Sequence, residues 1–275
     1  MRTLYLSDLD GTLLRSDETI GPYTAGVIRE MAKREIPFSY ATARSFLTAR
    51  RVTGELTVSL PAIVYNGVMI VRQPDGAVLS ALRFTQSQTR ALAAMLRDLG
   101  AAPLVYATLE GRQRVSWLQG GENEGMRHYL NKRSSDPRLR PVDSEADVYA
   151  GEVFYLTCIG EQSDMARVQA AASAHPYVRT VFQQELYRPE YWCELMPGEA
   201  SKAQAALRLK ALLNCDRIVA FGDAINDLPL FEAADECYAV GNAVPELKAR
   251  ATGILADNDA EGVAAWLAQH VLGHS

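Results

Sequence analysis

Asp8 and Asp10 stand two residues apart in the segment DLDGT, while Asp223, Asn226 and Asp227 sit together in GDAIND near the far end of the chain. Asp8, Asp10 and Asp223 gathered in one place would be a cluster of hard oxygen donors that repel one another unless a cation sits among them. A site with few carboxylates suits Mg2+, which keeps several waters and takes the rest of its shell from a substrate phosphate. Lys202 adds a point positive charge at a helix start, and the Thr42 hydroxyl with the backbone N–H groups of the helix that follows it supplies neutral donors for an anion. Together these residues describe a phosphate beside Mg2+. A carboxylate can act as the nucleophile in phosphoryl transfer, forming an acyl phosphate that water later cleaves, and it needs no deprotonation at neutral pH. Asp8 is placed for this. A second carboxylic acid two residues on can protonate the departing alkoxide and then take a proton from the attacking water, a role worth about a hundred- to ten-thousand-fold in rate. Asp10 is placed for that.

The elements that must carry these residues follow from the pattern around them. Thr3 to Ser7 reads as a short strand that ends where Asp8 begins, so two carboxylates arrive at its C-terminal tip. Pro22 opens a helix with Val27, Ile28 and Met31 at helical spacing, and Ile36 to Ala41 reads as the next strand. Thr42 to Ser45 opens another helix, and Ala62 to Tyr65 is a third strand closed by the turn pair Asn66-Gly67. Val68 to Val71 and Val78 to Leu82 form a hairpin around Pro74-Asp75-Gly76. After about residue 191 the alternation resumes: Cys193 to Met196 extended, Ser201 to Leu213 helical with Ser201 and Gln204 at capping-box spacing, and Ile218 to Phe221 a strand running into Gly222-Asp223. Strand-helix units continue at Cys237 to Val240, Pro245 to Arg250 and Ala260 to Leu267. The expectation is an α/β fold: a Rossmann-like, mostly parallel sheet with helices on both faces and ligands outside the strand C-termini.

Between the two stretches the rhythm changes to a long helix (Gln88 to Leu99), a strand pair around Gly111, a polar tract through 119–147, a strand at Val153 to Ile159, a helix from Ser163 to Ala174 and strands near Val178 to Phe182. This reads as a second domain inserted into the first: core 1–82 and 191–275, α/β cap 83–190, with substrate specificity expected in the cap. The insert carries 13 basic and 13 acidic residues, so the whole net charge of -5 lies in the core.

Composition narrows the partners. A chain of 275 residues with 48% hydrophobic and 22% charged residues has the profile of a globular protein, with no apolar run long enough for a membrane helix. Its net charge of -5 argues against nucleic acid or an anionic membrane as the main partner. The exception is local: Arg127, Lys132, Arg133, Arg138 and Arg140 face one acid, Asp136, and read as a solvated face. Cys158, Cys193, Cys215 and Cys237 form no close pair, and His128, His175, His270 and His274 are equally scattered, so all eight read as structural or surface residues. Trp117, Trp192, Tyr106 and Tyr155 read as packing residues. The expected setting is cytoplasmic, the expected partner a small phosphate ester, and the expected assembly a monomer or weak homodimer.

DLDGTLL at 8–14, ATAR at 41–44, Lys202 in GEASKAQ and GDAINDLPLF at 222–231 resemble, in order, the four motifs of the haloacid dehalogenase-like phosphatases, in particular their Cof-like sugar-phosphate branch. VGNAVPELKARA at 240–251 and ADNDAEGVAAWL at 256–267 resemble the closing segments of that branch. The resemblance covers about 1–82 and 191–271. It implies Asp8 as nucleophile, Asp10 as acid and base, and Mg2+ held by the Asp8 side chain, the Asp10 carbonyl and Asp223. It implies phosphate contacts from the Leu9 and Ala43 backbone N–H groups, Thr42, Lys202 and Asn226, with Asp227 orienting Lys202 or a metal-bound water. Two positions depart from the pattern, Ala43 where Gly is usual and Leu230 where Met is common. The insert resembles the cap of that branch only in size and position.

Taken singly, DxDGT fits a turn after a strand and GDxxND a capped strand-to-helix junction; the argument rests on all four tips in order around one insertion. The expected activity is Mg2+-dependent hydrolysis of a small phosphate monoester through an aspartyl-phosphate. A phosphomutase would share every core residue. A dehalogenase has no need of Asp10, and a phospho-acceptor signalling domain would be shorter and lack both Asp10 and the insert.

Overall fold

The computed structural model describes residues 1–54, 56, 60–184 and 188–273. His274 lies outside the described residues. The chain divides into two compact units, Met1–Ala81 with Ser201–Ser275, and Leu82–Ala200.

The first unit opens with β1 (Thr3–Ser7), whose Leu4 and Leu6 are fully buried. Helix α1 (Pro22–Lys33) starts on Pro22, which lacks the N–H that a first helical position leaves unpaired. Its first turn is tied to the C-terminal part of the chain, because the Thr24 N–H and hydroxyl both donate to Glu261 Oε2 at 2.7 Å. Next come β2 (Phe38–Tyr40) and α2 (Phe46–Val52), which Ser45 caps by accepting from the Thr48 N–H at 3.2 Å. Strands β3 (Ala62–Val64), β4 (Met69–Val71) and β5 (Val78–Ala81) form their own antiparallel sheet. Among the described residues, the stretch expected as a third strand is not a full strand of the main sheet but joins it at the parallel bridge Ala41–Ile63.

The second unit holds α3 (Gln86–Asp98), β6 (Pro103–Leu109), β7 (Arg112–Leu118), α4 (Glu124–Lys132), β8 (Leu139–Val142), α5 (Glu145–Val148), β9 (Glu152–Gly160), α6 (Gln162–Ser173), β10 (Val178–Gln184) and β11 (Tyr191–Pro197). Its six strands run in the order β10-β11-β9-β6-β7-β8, antiparallel except for β7 with β8. Leu92 and Leu96 of α3 and Met165 and Val168 of α6 share a core with Leu156, Cys158, Cys193 and Leu195. Tyr106 and Tyr155 pack edge to face at 5.6 Å and Trp117 is buried, as expected of packing residues.

Three expectations change here. The strand-helix alternation places residues 191–197 in the core, but β11 pairs with both β9 and β10, so this unit runs from Leu82 to Ala200. A strand followed by a helix fits either sheet, and alternation alone does not say which one it joins. The polar tract at 119–147 contains α4, β8 and α5, with Asn123 and Ser144 as N-caps. The basic cluster is not simply a solvated face: Arg138 and Asp136 form a buried ion pair at 2.6 Å, and the Arg133 guanidinium lies 3.9 Å from the Tyr129 ring centroid.

The chain returns to the first unit with α7 (Lys202–Leu212), β12 (Arg217–Gly222), α8 (Leu228–Ala233), β13 (Glu236–Ala239), α9 (Pro245–Lys248), β14 (Gly253–Ile254) and α10 (Gly262–His270). The main sheet has the order β14-β13-β12-β1-β2 and every pairing is parallel. Ile218 to Phe221 are all buried, the mark of a strand covered on both faces. Because Ser7 is in register with Phe221, β1 and β12 release Asp8 and Asp223 side by side at the C-terminal edge of the sheet. Among the described residues no helix is long and apolar enough to cross a membrane.

Candidate active site

Asp8 is fixed where β1 ends: its N–H donates to the Phe221 carbonyl at 2.9 Å, and its carbonyl accepts from the Ser7 hydroxyl at 2.7 Å. Its Oδ1 accepts from Lys202 Nζ at 2.6 Å, and the same ammonium donates to Asp227 Oδ1 at 2.7 Å. The Asp8, Lys202 and Asp227 side chains are 6%, 1% and 0% exposed. Lys202 reaches this position from the first turn of α7, which Ser201 caps by accepting from the Gln204 N–H at 3.0 Å. Asp227 Oδ2 accepts from the Asp223 and Ala224 N–H groups at 3.1 and 3.2 Å, closing the turn after β12 around its own carboxylate. Asp223 Oδ1 accepts from the Thr12 hydroxyl at 2.9 Å. One carboxylate oxygen from each of Asp8, Asp223 and Asp227 lies within 4.8 Å of the others. Gly11, at φ +74°, lets the loop after Asp8 pass the cluster, since a Cβ there would stand 2.4 Å from Asp223 Oδ2.

The electrostatics are those of a site short of positive charge. Burial raises the Asp8 carboxyl well above the usual carboxylate range; Lys202 opposes that rise, and Asp227 and Asp223 add to it. Burial and the charge of Asp227 push Asp223 up to about 6. Burial works against the Lys202 charge, yet Asp227 and Asp8 more than offset it and hold the ammonium above its ordinary range. Three close carboxylates with one lysine fit a divalent cation that takes oxygen ligands.

Other expected residues fall differently. The Asp10 carboxylate does not join the acid cluster: Arg44 Nε donates to both its oxygens at 3.0 and 2.9 Å, and Nη2 donates to Oδ1 at 2.5 Å. The backbone is extended at Asp10 and left-handed at Gly11, and the Asp10 side chain is 46% exposed. The carboxylates that meet are thus Asp8, Asp223 and Asp227, so the metal set of Asp8, Asp10 and Asp223 can include Asp10 only through its backbone. Thr42 is fully buried, with its hydroxyl accepting from the Arg44 N–H at 3.1 Å. Leu9 is buried in the turn after Asp8, whereas Ala43 and Asn226 are exposed.

The model of the haloacid dehalogenase-like hydrolase family matches residues 5–267. The chain is a haloacid dehalogenase-like hydrolase. It is 25% identical over 261 residues to the HMP-PP phosphatase of Klebsiella pneumoniae, covering 90% of this chain and 88% of that protein. The HMP-PP phosphatase of Serratia proteamaculans is 26% identical over 260 residues, covering 90% of this chain and 87% of its own. In fold, the hydrolase is similar to a haloacid dehalogenase-like hydrolase from B. subtilis, with a TM-score of 0.77, 20% identity, and coverage of 98% of this chain and all of that one. A family member from Bacteroides thetaiotaomicron gives a TM-score of 0.79 at 19% identity, with 98% and 99% coverage.

The hydrolase also carries supports that the motifs alone did not reveal. Asn242 Nδ2 donates to the Gly11 carbonyl at 2.7 Å, and its Oδ1 accepts from the Asn258 N–H at 3.1 Å. Asn258 Nδ2 donates to the Leu14 carbonyl at 2.9 Å. The closing segments therefore hold the loop that carries Asp8 and Asp10. Thr12 steadies Asp223, and Arg44 with Glu18 brackets Asp10, the Arg44–Glu18 pair closing at 3.0 Å. A polar residue inside a motif was the available signal for Thr12 and Arg44, but their partners depend on the fold.

Proposed function

We propose that this hydrolase is a Mg2+-dependent phosphatase that cleaves a small organic phosphate monoester through an aspartyl-phosphate on Asp8. The observation that carries the reading is the buried chain Asp8–Lys202–Asp227 with Asp223 beside it: one ammonium among three carboxylates, arranged for a cation and an anionic substrate together. Asp8 and Asp223, with the Asp10 carbonyl, would hold Mg2+, which when bound neutralises charge on the phosphoryl group and on the nucleophile. Lys202, oriented by Asp227, binds a phosphoryl oxygen. The Thr42 hydroxyl, the Leu9 and Ala43 N–H groups and Asn226 bind the others. The Asp8 carboxylate attacks phosphorus while Asp10 gives a proton to the departing alkoxide. Asp10 then takes a proton from the water that cleaves the acyl phosphate, releasing inorganic phosphate. Relatives named as phosphatases support hydrolysis over transfer to a second hydroxyl. The inserted unit is assigned the choice among esters.

The test is release of inorganic phosphate from a panel of phosphate esters with Mg2+. The parental chain turns over at least one of them, EDTA stops it, and Asp8→Asn is folded and inactive. Near-parental turnover by Asp8→Asn, or full activity in EDTA, overturns the mechanism.

A further inference from the structure

The turn after β3 is the only place among the described residues where three consecutive residues take positive φ: Tyr65 at 52°, Asn66 at 53° and Gly67 at 95°. For a residue as bulky as tyrosine this is an outlier that the surrounding structure must impose. The constraints are visible. The Tyr65 N–H donates to the Arg44 carbonyl and the Asn66 N–H to the Thr42 carbonyl, both at 3.0 Å. Arg208 Nη2 donates to the Gly67 carbonyl at 3.0 Å. A Cβ on Gly67 would stand 2.1 Å from the Ser201 carbonyl oxygen and 3.0 Å from the Lys202 nitrogen. The turn is therefore wedged between residues 42–44 and the start of α7, the two segments assigned above to phosphate.

Asn66 is 6% exposed, and its side-chain oxygen is buried with no hydrogen-bond partner. A carboxamide can use two donors and two acceptor lone pairs, and native proteins rarely bury one with its partners missing. The bland explanation is conformational, since Asn tolerates left-handed backbone better than most residues. That accounts for the backbone but not for the buried side-chain oxygen without a partner, because Gly would serve the same φ with no carboxamide to bury.

We propose that Asn66 is a substrate-binding residue. Its side-chain N–H donates to an oxygen of the phosphoryl group held by Thr42 and Lys202, and its buried side-chain oxygen accepts from a bound water. This rests on the phosphate-ester reading of the site.

Two full-length variants separate the side chain from the backbone. Asn66→Gly keeps the left-handed turn and deletes the carboxamide; Asn66→Asp keeps the shape and replaces the donor with a carboxylate beside the phosphate. Thermal unfolding, steady-state kinetics and the dissociation constant of inorganic phosphate in Mg2+ are measured on each. Asn66→Gly should unfold no earlier than the parent, yet lose about tenfold or more in kcat/KM and bind phosphate about tenfold more weakly, the scale of one hydrogen bond to a charged group. Asn66→Asp should lose more. Parental kinetics and phosphate affinity in Asn66→Gly, or Asn66→Asp at least as active as Asn66→Gly, overturn the proposal. A parental chain that neither hydrolyses esters nor binds phosphate overturns the reading of the site and this inference with it.

Discussion

Lys202→Met isolates what the buried ammonium does for the fold. Its Nζ lies 2.6 Å from one carboxylate and 2.7 Å from another, and none of the three side chains is more than 6% exposed. Methionine preserves most of the stem but leaves Asp8 and Asp227 facing each other without a cation. Removing one partner of a buried ion pair typically costs about 3–5 kcal/mol, because the remaining charge is neither paired nor hydrated. For a chain of this size that corresponds to about 6–20 °C in the unfolding of the unit that contains it. Replacing both sides is a different matter. In Lys202→Met with Asp227→Asn one of the two stranded charges is gone, and Asn can still meet the Asp223 and Ala224 N–H groups through its oxygen. That double variant should recover part of the loss, giving a coupling of about 1–3 kcal/mol in a double-mutant cycle. The assay is urea or thermal unfolding in EDTA, followed by the same measurement in Mg2+. Mg2+ should stabilise Lys202→Met more than the parent, since it supplies the missing positive charge. A single variant within about 1 kcal/mol of the parent, or a double variant no better than the single, would refute the account of Lys202 as the counter-charge of the site.

Gly11→Ala places a Cβ 2.4 Å from Asp223 Oδ2 at a φ of +74°; it should lower stability by about 2 kcal/mol and weaken Mg2+ binding, measured by calorimetry, and unchanged affinity would show that Asp223 need not stay in place. Glu194, on β11, is pushed up to about 7 by burial, against the Tyr155 hydroxyl that lowers it. A raised carboxylate binds its proton more tightly folded than unfolded, so its contribution is fully present below about 4.3 and is lost as pH rises through about 7. Glu194→Gln should therefore be the more stable protein at pH 8, by at most about 3 kcal/mol before solvent screening, with the gap closing toward pH 4; equal stability at both pH values would show that the carboxyl stays hydrated. Asp10→Asn should lose about a hundred- to ten-thousand-fold on an alkyl phosphate and far less on nitrophenyl phosphate, whose leaving group needs no proton; an equal loss on both removes Asp10 from proton transfer.

The parallel sheet was legible because its strands end abruptly. TLYLS stops at Asp8 and RIVAFG at Asp223, and the register of Ser7 with Phe221 turns two sequence edges into one spatial edge. Caps were legible for the same local reason: Ser201 and Ser45 accept the N–H groups that their spacing predicted or allowed. Sheet membership was not, because an extended segment records its own conformation and not its neighbour. The segment at 191–197 has the residues of a core strand and pairs instead with β9 and β10. In the tract from 119 to 147 overall polarity masked α4, although Asn123 ahead of Gly125, Met126 and Tyr129 was a start signal followed by a buried face.

Within the site, residue types were legible and pairings were not. Two cationic side chains, Lys202 and Arg44, could have been shared among Asp8, Asp10, Asp223 and Asp227 in several ways, and the distances decide. Lys202 takes Asp8 and Asp227, while Arg44 takes Asp10 with three hydrogen bonds. Arg44 lies in the same short loop as Thr42, so the Asp10–Arg44 pair ties the segment assigned to the nucleophile to the segment assigned to phosphate. Its pairing with Glu18 extends that tie further along the loop that leaves β1. With both oxygens of Asp10 engaged by one guanidinium, the proton transfer proposed for Asp10 would require it to leave Arg44. The asymmetry is physical: among the described residues Asp8 is held by a buried lysine shared with a second acid, Asp227, whereas Asp10 is held at the surface by an arginine whose side chain is 21% exposed.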